Sequence, residues 1–302
     1  MKTSSVNDYE ARLLRVLEHI DSNLTDPSSL ADLARIAHFS PFHFHRIFKG
    51  MTGETVGGYI RRRRLEVAAE QLICGDHPVT LLAFDAGFEN SESFSRAFKT
   101  HFGMTPSQYR CTGKSPITSR ALKAARLGML HTQARALVHY MKTEGRRTMF
   151  DVEIKKLPAI HAASLRHIGP YNKCGTAFET LCKTATQEGL FRQDTMAMSI
   201  CYDDPHSVDS EKLRCDVCIT VPEGTKVTDP IKLQTIPAGD YAVAVHKGSY
   251  DTLQAAYDWL FGQWLPQSGR EATDENSIEV YLTDPAETKP EDNRTEIRIP
   301  LI

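Results

Sequence analysis

Long hydrophobic runs are absent from this 302-residue sequence. No stretch approaches the roughly 18 apolar residues that a membrane-spanning helix needs, and the opening MKTSSVNDYE lacks the apolar core of a secretory signal peptide. The sequence also lacks the Ser/His/Asp order of a hydrolase, a metal-ligand cluster and a phosphate-binding glycine loop. These absences predict a cytoplasmic protein that uses neither a metal nor a cofactor.

Cysteine is scarce and odd in number. The seven cysteines are spread through a chain long enough to bury a core without disulfides, so we expect reduced thiols. Cys215 and Cys218 form the only close pair, and no second Cys or His pair accompanies them. A zinc site is the weak interpretation of this pair, and two small buried residues of one strand is the favoured one.

Net charge is small, at −2, but its distribution divides the chain. Residues 1–110 carry 13 Lys and Arg against 13 Asp and Glu, residues 111–150 carry 8 against 1, and residues 151–302 carry 15 against 24. The length is also about twice that of a usual domain. We therefore predict a first domain at 1–110, a basic and partly helical linker at 111–150, and a second domain at 151–302.

An internal repeat organises the first domain. LARIAHFSPFHFHRIFK (33–49) aligns with LAFDAGFENSESFSRAFK (82–99) when one inserted residue is allowed. Each copy is typical of a short helix, a turn and a second helix. Ser40 followed by proline caps the second helix of the first copy, and Asn90 or Ser91 can cap the other. The pattern predicts an all-helical domain with two helix-turn-helix motifs.

Two phenylalanines lie four residues apart in each second helix, so they share the face that packs inward. The residues expected on the other faces are His43, His45 and Arg46 in the first copy and Ser93, Ser95 and Arg96 in the second. A long helix at 55–73, which contains four consecutive arginines, joins the copies. The two second helices are therefore expected to share their buried phenylalanine face and to differ in the residues on their other faces.

The stretches YIRRRRLEVAAEQL and DAGFENSESFSRAFKTHFGMTPSQYR (85–110) resemble the DNA-binding domain of AraC/XylS-type transcription regulators. The resemblance implies that one chain inserts two reading helices into successive major grooves of double-stranded DNA. It gives base contacts to Phe42, His43, His45, Arg46, Asn90, Glu92, Ser93 and Arg96. Phosphate contacts are expected from Arg61, Arg62, Arg64, Lys49 and Lys99. Because the two helices differ, an asymmetric operator is expected.

Several of these residues have a second interpretation. Either reading-helix arginine could instead make a structural or phosphate contact, and Phe42 could cover the core. The four arginines at 61–64 could form a salt-bridged, solvated face or touch phosphates. The string HFHR suggests a metal pair, but His43 and His45 point about 200° apart on a helix and are not expected to share an ion. His38 stands where the family usually has glycine, and histidine tolerates that backbone better than branched residues do.

The second domain carries its own repeat. PAIHAASLRHIGPYNKCGTAFETLC (158–182) superposes on PAGDYAVAVHKGSYDTLQAAYDWLF (237–261) at a constant offset of 79, and later pieces match at an offset of 80. Each half is typical of a strand, a helix and two further strands. Two such halves predict a pseudo-symmetric α+β domain with an antiparallel sheet and a groove between the halves.

This second domain resembles the GyrI-like (BmrR-like) effector-binding domain, through HIGPY, HKGSY, SIEVYLTDP and TEIRIPL. The resemblance implies a groove that accepts flat, often cationic molecules, with a central glutamate as counter-charge. Glu279 fits that position, since strand alternation separates Glu279 and Tyr281 from the apolar Ile278 and Val280. The aromatic candidates for the site are Tyr281, Tyr171, Tyr250, Trp259, Trp264 and Phe191, although Trp259 and its neighbour Tyr257 have core packing as the stronger interpretation.

The leading hypothesis is a transcription regulator whose second domain binds a small aromatic or cationic effector and changes how the first domain binds DNA or contacts RNA polymerase. One alternative is an enzyme, because some GyrI-like proteins hydrolyse small toxic compounds. Another is that the acidic second domain binds a protein partner. Turnover of a bound compound would favour the enzyme, and binding confined to a protein would favour the third hypothesis.

Overall fold

The computed structural model describes residues 6–112, 150–205 and 208–302. Nearly all of the stretch predicted to be a basic, partly helical linker lies outside the described residues. No helix in the described part of the chain is long and apolar enough to cross a membrane.

The described residues divide into two compact units. The helical unit consists of residues 7–39 and 52–112, and the sheet unit consists of residues 40–51 together with the described residues from 150 onward. The second helix of the first repeat copy thus belongs to the sheet unit, a grouping that the pattern of the sequence did not suggest.

Residues 6–112 are helical, as predicted. The helices are α1 (Val6–Ser22), α2 (Leu30–Ala37), α3 (Pro41–Thr52), α4 (Val56–Cys74), α5 (Val79–Asp85), α6 (Ser91–Phe102) and α7 (Pro106–Thr112). The repeat gives α2 and α3 in the first copy and α5 and α6 in the second. Buried Phe94 and Phe98 of α6 pack with Leu72 of α4 and Leu82 of α5, so the phenylalanine face points inward in this copy.

The two turns of the repeat use the same backbone conformation. His38 ends α2 in the left-handed region with φ 53°, and Gly87 follows α5 with φ 71°. The expectation that the first turn is kept despite its histidine is confirmed. A Cβ atom at Gly87 would also require the Arg64 guanidinium to move, because the guanidinium lies against this position.

The sheet unit contains one eight-stranded antiparallel sheet in the described residues. Its strands are β1 (Val152–Leu157), β2 (Ile160–Ile168), β3 (Ala197–Cys201), β4 (Arg214–Thr220), β5 (Lys232–Ile236), β6 (Gly239–Lys247), β7 (Ile278–Tyr281) and β8 (Arg294–Leu301). Their order across the sheet is β1-β6-β8-β7-β3-β4-β2-β5. The order is symmetric about the central β7–β3 pair, which confirms the predicted pseudo-symmetric α+β fold.

Each half begins with one strand more than predicted. The halves run β1, β2, α8 (Gly175–Gln187), β3, β4 and then β5, β6, α9 (Leu253–Trp259), β7, β8. The additional strands β1 and β5 are the two edges of the sheet, and they carry lysines such as Lys155 and Lys232. Charged edge strands protect a sheet from pairing with other chains, but they lack the apolar alternation by which a strand is recognised in a sequence.

The two faces of the sheet differ. Ile278 and Val280 of β7 lie with Met198 and Ile200 of β3 in one apolar cluster. On the opposite face, α8 packs its buried residues against β2 and β4. Helix α9 continues through a π-helical segment (Leu260–Trp264) into α10 (Leu265–Ser268). Cys215 and Cys218 are buried, free thiols of β4, as expected for strand residues.

Candidate DNA-reading and effector sites

The second reading helix, α6, presents its predicted base contacts to solvent. Asn90 caps the helix, its side chain accepting a hydrogen bond from the Ser93 backbone N–H at 2.8 Å. Arg96 pairs with Glu92 at 2.9 Å, and the two side chains are 77% and 83% exposed. Such an exposed pair is weak, so DNA can compete for the Arg96 guanidinium at small cost.

A cleft between α4 and α6 brings basic residues of both helices together. Arg61, Arg62 and His101 line it, and Arg96 borders it from α6. The cleft therefore joins a predicted phosphate contact, Arg61, to a predicted base contact.

Three of the four consecutive arginines are engaged inside the helical unit. Arg62 binds Glu54 at 2.6 Å and Glu66 at 2.9 Å, Arg63 binds Asp21 at 2.8 Å, and Arg64 donates to the Leu24 carbonyl at 2.7 Å. Arg61 is exposed, with its guanidinium 5.4 Å from the Phe88 ring centroid. Among the predicted phosphate contacts, Arg61 and the exposed Lys99 are therefore better placed than Arg62 and Arg64.

The first reading helix, α3, is situated differently. Phe42 is 41% exposed, but His43, His45 and Arg46 are only 1%, 7% and 7% exposed. The expectation that these three side chains lie on open faces is wrong for this arrangement, because α3 packs inside the sheet unit. Their assignment to DNA bases stays a prediction about another arrangement of the chain.

The two histidines of α3 face different groups of the sheet unit. The His43 ring stacks on Phe261 at 5.0 Å, and its Nε2–H donates to the Glu275 carbonyl at 2.9 Å. His45 Nε2 lies 3.9 Å from Asp204 Oδ2, beyond hydrogen-bonding distance. The two imidazole rings thus lie against different residues, Phe261 and Asp204.

Burial lowers the pKa of both histidines. Desolvation, reinforced by the Arg46 charge, lowers the pKa of His43 to about 3 and that of His45 to about 4, while Asp204 and Asp203 act in the opposite sense on His45. Both rings are therefore neutral near pH 7. The helix packs there as an uncharged surface except at Arg46 and Lys49.

Arg46 lies over aromatic rings. Its Cζ atom is 4.5 Å from the ring centroid of Tyr257 and 5.8 Å from that of Phe261, which is the geometry of a cation–π contact. Tyr257 in turn donates a hydrogen bond to Glu279. A guanidinium, an aromatic ring and a carboxylate thus follow one another in the interior of the sheet unit.

Glu279 is the centre of the effector site predicted from the sequence. Its side chain is buried, with Oε1 accepting from the Tyr257 hydroxyl at 3.0 Å and Oε2 3.3 Å from the Tyr281 hydroxyl. Burial raises the pKa of Glu279, and the two tyrosines and the Arg46 charge oppose that rise. A carboxylate in such a setting gains strongly from a cation, since desolvation has already removed its water.

Aromatic rings surround the carboxylate. Tyr281 packs edge-on against Phe178 at 5.7 Å and Tyr250 at 5.5 Å, and its hydroxyl lies 2.9 Å from Ser199 Oγ. Ser199 is paired directly across from Glu279 in the β3–β7 ladder. The predicted residues Glu279, Tyr281 and Tyr250 are therefore brought together.

In the described part of the chain, the four other predicted effector residues make no hydrogen bond or ring contact with this group. The Tyr171 hydroxyl bonds backbone groups of Asp203 and Arg214, and Trp259 packs edge-on against Phe150. Trp264 is half-buried on the π-helical segment and Phe191 is 41% exposed. Tyr171 and Trp259 thus serve the packing of the unit, as the alternative interpretation of Trp259 supposed.

Sequence reasoning missed several members of the site, among them Tyr257, which had been assigned to the core. The 79-residue offset pairs Tyr257 with Phe178, and the 80-residue offset pairs Glu279 with Ser199 and Tyr281 with Cys201. Cys201 lies 3.9 Å from Glu279 through its sulfur. Applying the repeat to Glu279 and its neighbours could have found these residues.

Comparison with known proteins defines the family. Residues 150–302 match the GyrI-like small molecule binding domain, and residues 33–112 match a helix-turn-helix domain. Regulatory protein SoxS of Salmonella typhimurium is 36% identical over 95 residues, which cover 32% of this chain and 89% of SoxS. The chain is an AraC-type transcription regulator with a GyrI-like domain. A DNA-binding helix-turn-helix region and a small-molecule-binding domain are thus combined in one polypeptide.

Other relatives of this AraC-type regulator match one part of it. The HTH-type transcriptional regulator YbfP of Bacillus subtilis is 40% identical over 102 residues, covering 34% of this chain and 35% of YbfP. The crystal structure of the EcmrR C-terminal domain covers 51% of this chain and 99% of that domain at 22% identity, with a TM-score of 0.46. The chain spans about a third of YbfP.

Proposed function

We propose that the GyrI-like domain binds a small, planar, cationic effector with its charge against Glu279. The observation that supports this is a buried carboxylate that two tyrosine hydroxyls approach, with a guanidinium already stacked on one of those tyrosines. An aromatic cation would meet the carboxylate on its charged side and the rings of Tyr257 and Phe261 on its faces. Each such ring contact contributes roughly 0.5–2 kcal/mol.

The effector acts on transcription only through a difference in affinity between two arrangements of the chain. The reading helices are the elements whose availability must change, and RNA polymerase is a further contact of a DNA-bound regulator. We extend the proposal to location: the protein works in the cytoplasm, with its DNA.

The test compares a cation with its neutral isostere. Binding of 2-naphthamidine and 2-naphthamide to the full chain is measured by calorimetry in the natural protein and in Glu279→Gln. The natural protein is expected to prefer the amidine by about tenfold or more, equivalent to about 1.4 kcal/mol, and Glu279→Gln is expected to lose this preference. The control Glu287→Gln neutralises an exposed carboxylate and should keep it. An equal preference in all three proteins would exclude Glu279 as the counter-charge.

A second candidate is hydrolysis of a small compound. Glu279 favours it, because burial raises the pKa of this carboxyl and a carboxyl so placed can exchange protons with a substrate. Cys201 does not favour a thiol nucleophile, since burial raises its pKa well above the ordinary value. Mass spectrometry of the bound amidine after prolonged incubation decides between the two: unchanged ligand supports a sensor, and a Glu279-dependent product supports an enzyme.

A further inference from the structure

Helix α3 fills the site that the effector is proposed to use. Arg46 is a planar cation stacked on Tyr257 and Phe261, and its charge acts on Glu279. With 7% of its surface exposed, Arg46 is buried against the aromatic faces of Tyr257 and Phe261, and the Tyr257 hydroxyl in turn contacts Glu279. The chain therefore supplies a guanidinium of its own to a cation site.

The backbone of α3 is fitted to the same surface independently of Arg46. A Cβ atom at Gly50 would lie 2.7 Å from the Asp258 carbonyl oxygen and from the Gly262 Cα atom. Only two glycines allow α3 and the π-helical segment to approach this closely. Lys49 adds an ion pair to Asp258 at 3.1 Å.

The docked position is incompatible with reading DNA. Arg46 and His43 are predicted base contacts, yet both are buried here, and a base contact requires the side chain to reach a groove edge. In the other copy, Arg96 at the corresponding repeat position is exposed. Helix α6 thus exposes its predicted base-contacting arginine, whereas α3 has its own buried in the sheet unit.

We propose that α3 is a built-in competitor for the effector site, and that a planar guanidinium or amidinium effector displaces Arg46 and releases α3 to its DNA half-site. The inference rests on the proposed effector function of Glu279. Cation and DNA then favour the same undocked form, so each increases the affinity of the chain for the other by an equal factor. The preferred ligands are planar amidinium and guanidinium compounds because they reproduce the group they replace.

Zero-length cross-linking can detect whether α3 is packed against the sheet unit, without any ligand being present. A carbodiimide joins amines and carboxylates that are in contact, and peptide mass spectrometry of the full chain identifies the products. We expect a Lys49–Asp258 link in the free protein and its loss on saturation with 2-naphthamidine. The Lys247–Asp292 pair, 2.9 Å apart in the sheet unit, is the internal control and should be unchanged.

Gly262→Ala displaces α3 without altering a charge or an aromatic ring. The added methyl group has no room against Gly50, whereas a Cβ at Gly175, in α8, meets nothing within 4 Å. Gly262→Ala is expected to lose the Lys49–Asp258 link and to bind both DNA and 2-naphthamidine more tightly, by about tenfold if about nine-tenths of the chains are docked. Gly175→Ala should behave as the natural protein.

The outcomes separate this inference from the effector proposal. Absence of the Lys49–Asp258 link in the free protein, or a Gly262→Ala protein with unchanged DNA and amidine affinities, would overturn the competition even if Glu279 selects cations. A link that forms and is lost in Gly262→Ala, with no preference for amidine over amide, supports docking and overturns the cationic effector. Circular dichroism and thermal unfolding verify that both alanine variants are folded.

Discussion

At the scale of single residues, the buried side chains of α3 couple this helix to pH. His43 has Arg46, His45 and the Glu275 carbonyl as its charged and polar neighbours. Its pKa of about 3 in the folded protein lies below the unfolded value of about 6.5. The unfolded form therefore takes up the proton first, and stability is full above pH 6.5 and declines as the pH falls toward 3.

The pH prediction compares the natural protein with His43→Gln, which keeps a hydrogen-bond donor but does not titrate. Between pH 7.5 and 5.5 the natural protein should lose about 1.4 kcal/mol more of its unfolding free energy than the variant does. Urea unfolding of the full chain at both pH values measures this difference. Identical losses would mean that His43 titrates as an exposed histidine.

At the scale of elements, the two turns of the repeat adopt the same left-handed backbone conformation with different residues. His38 adopts the left-handed conformation with its side chain exposed, and it ends α2 by donating its backbone N–H to the Ala34 and Arg35 carbonyls. Gly87 has the same conformation but has Arg64 beside it. Exchanging the residue at each position is therefore expected to change stability in opposite directions in the two copies.

Gly87→Ala should destabilise the helical unit by about 1–2 kcal/mol from backbone strain alone, and further because the Arg64 hydrogen bond to Leu24 is disturbed. His38→Gly is the matched change, and it should be neutral or stabilise by up to about 1 kcal/mol, since glycine adopts this conformation freely. Chemical denaturation of both variants supplies the comparison. Equal destabilisation by Gly87→Ala and His38→Gly would show that the preference of glycine for the left-handed conformation does not determine the stability of these turns.

The sequence repeats predicted most helices and strands, but they did not predict the edge strands or the residues against which α3 packs. Helix-turn-helix copies and alternating strands leave local periodicities, so the two motifs and the central strands could be read from the sequence. Edge strands β1 and β5 were missed because their exposed, lysine-bearing surfaces carry no such pattern. The packing of α3 could not be read, because His43 and Glu275 are 232 residues apart and no periodicity connects them.

At the scale of the whole molecule, two unlike reading helices on one chain predict an operator without two-fold symmetry. Sequences selected by the full protein from random DNA should contain two different half-sites about one helical turn apart. Footprinting in the presence of 2-naphthamidine should cover both, and without it mainly the half-site of α6. Recovery of a palindrome would instead indicate a dimer with one reading helix per chain.

Arg96→Ala tests the reading role within that operator. The substitution should weaken binding to the selected site by about 1–3 kcal/mol of binding free energy and reduce the sequence preference at one base position. Arg35→Ala is the control, because Arg35 is also 77% exposed and also pairs with a nearby carboxylate, Asp32, at 2.8 Å. A uniform loss on all DNA sequences would make Arg96 a phosphate contact.

The symmetric sheet of the GyrI-like domain holds two equivalent positions at its centre, and they carry different groups. Glu279 stands opposite Ser199, and the repeat partners of Tyr257 and Tyr281 are Phe178 and Cys201. Of these paired positions, only those of the second half carry a carboxylate and the two tyrosine hydroxyls that approach it. On the proposal that Glu279 binds the cationic effector, we expect one cation per chain, bound off the pseudo-axis in a fixed orientation, so that a single molecule would set the state of each regulator.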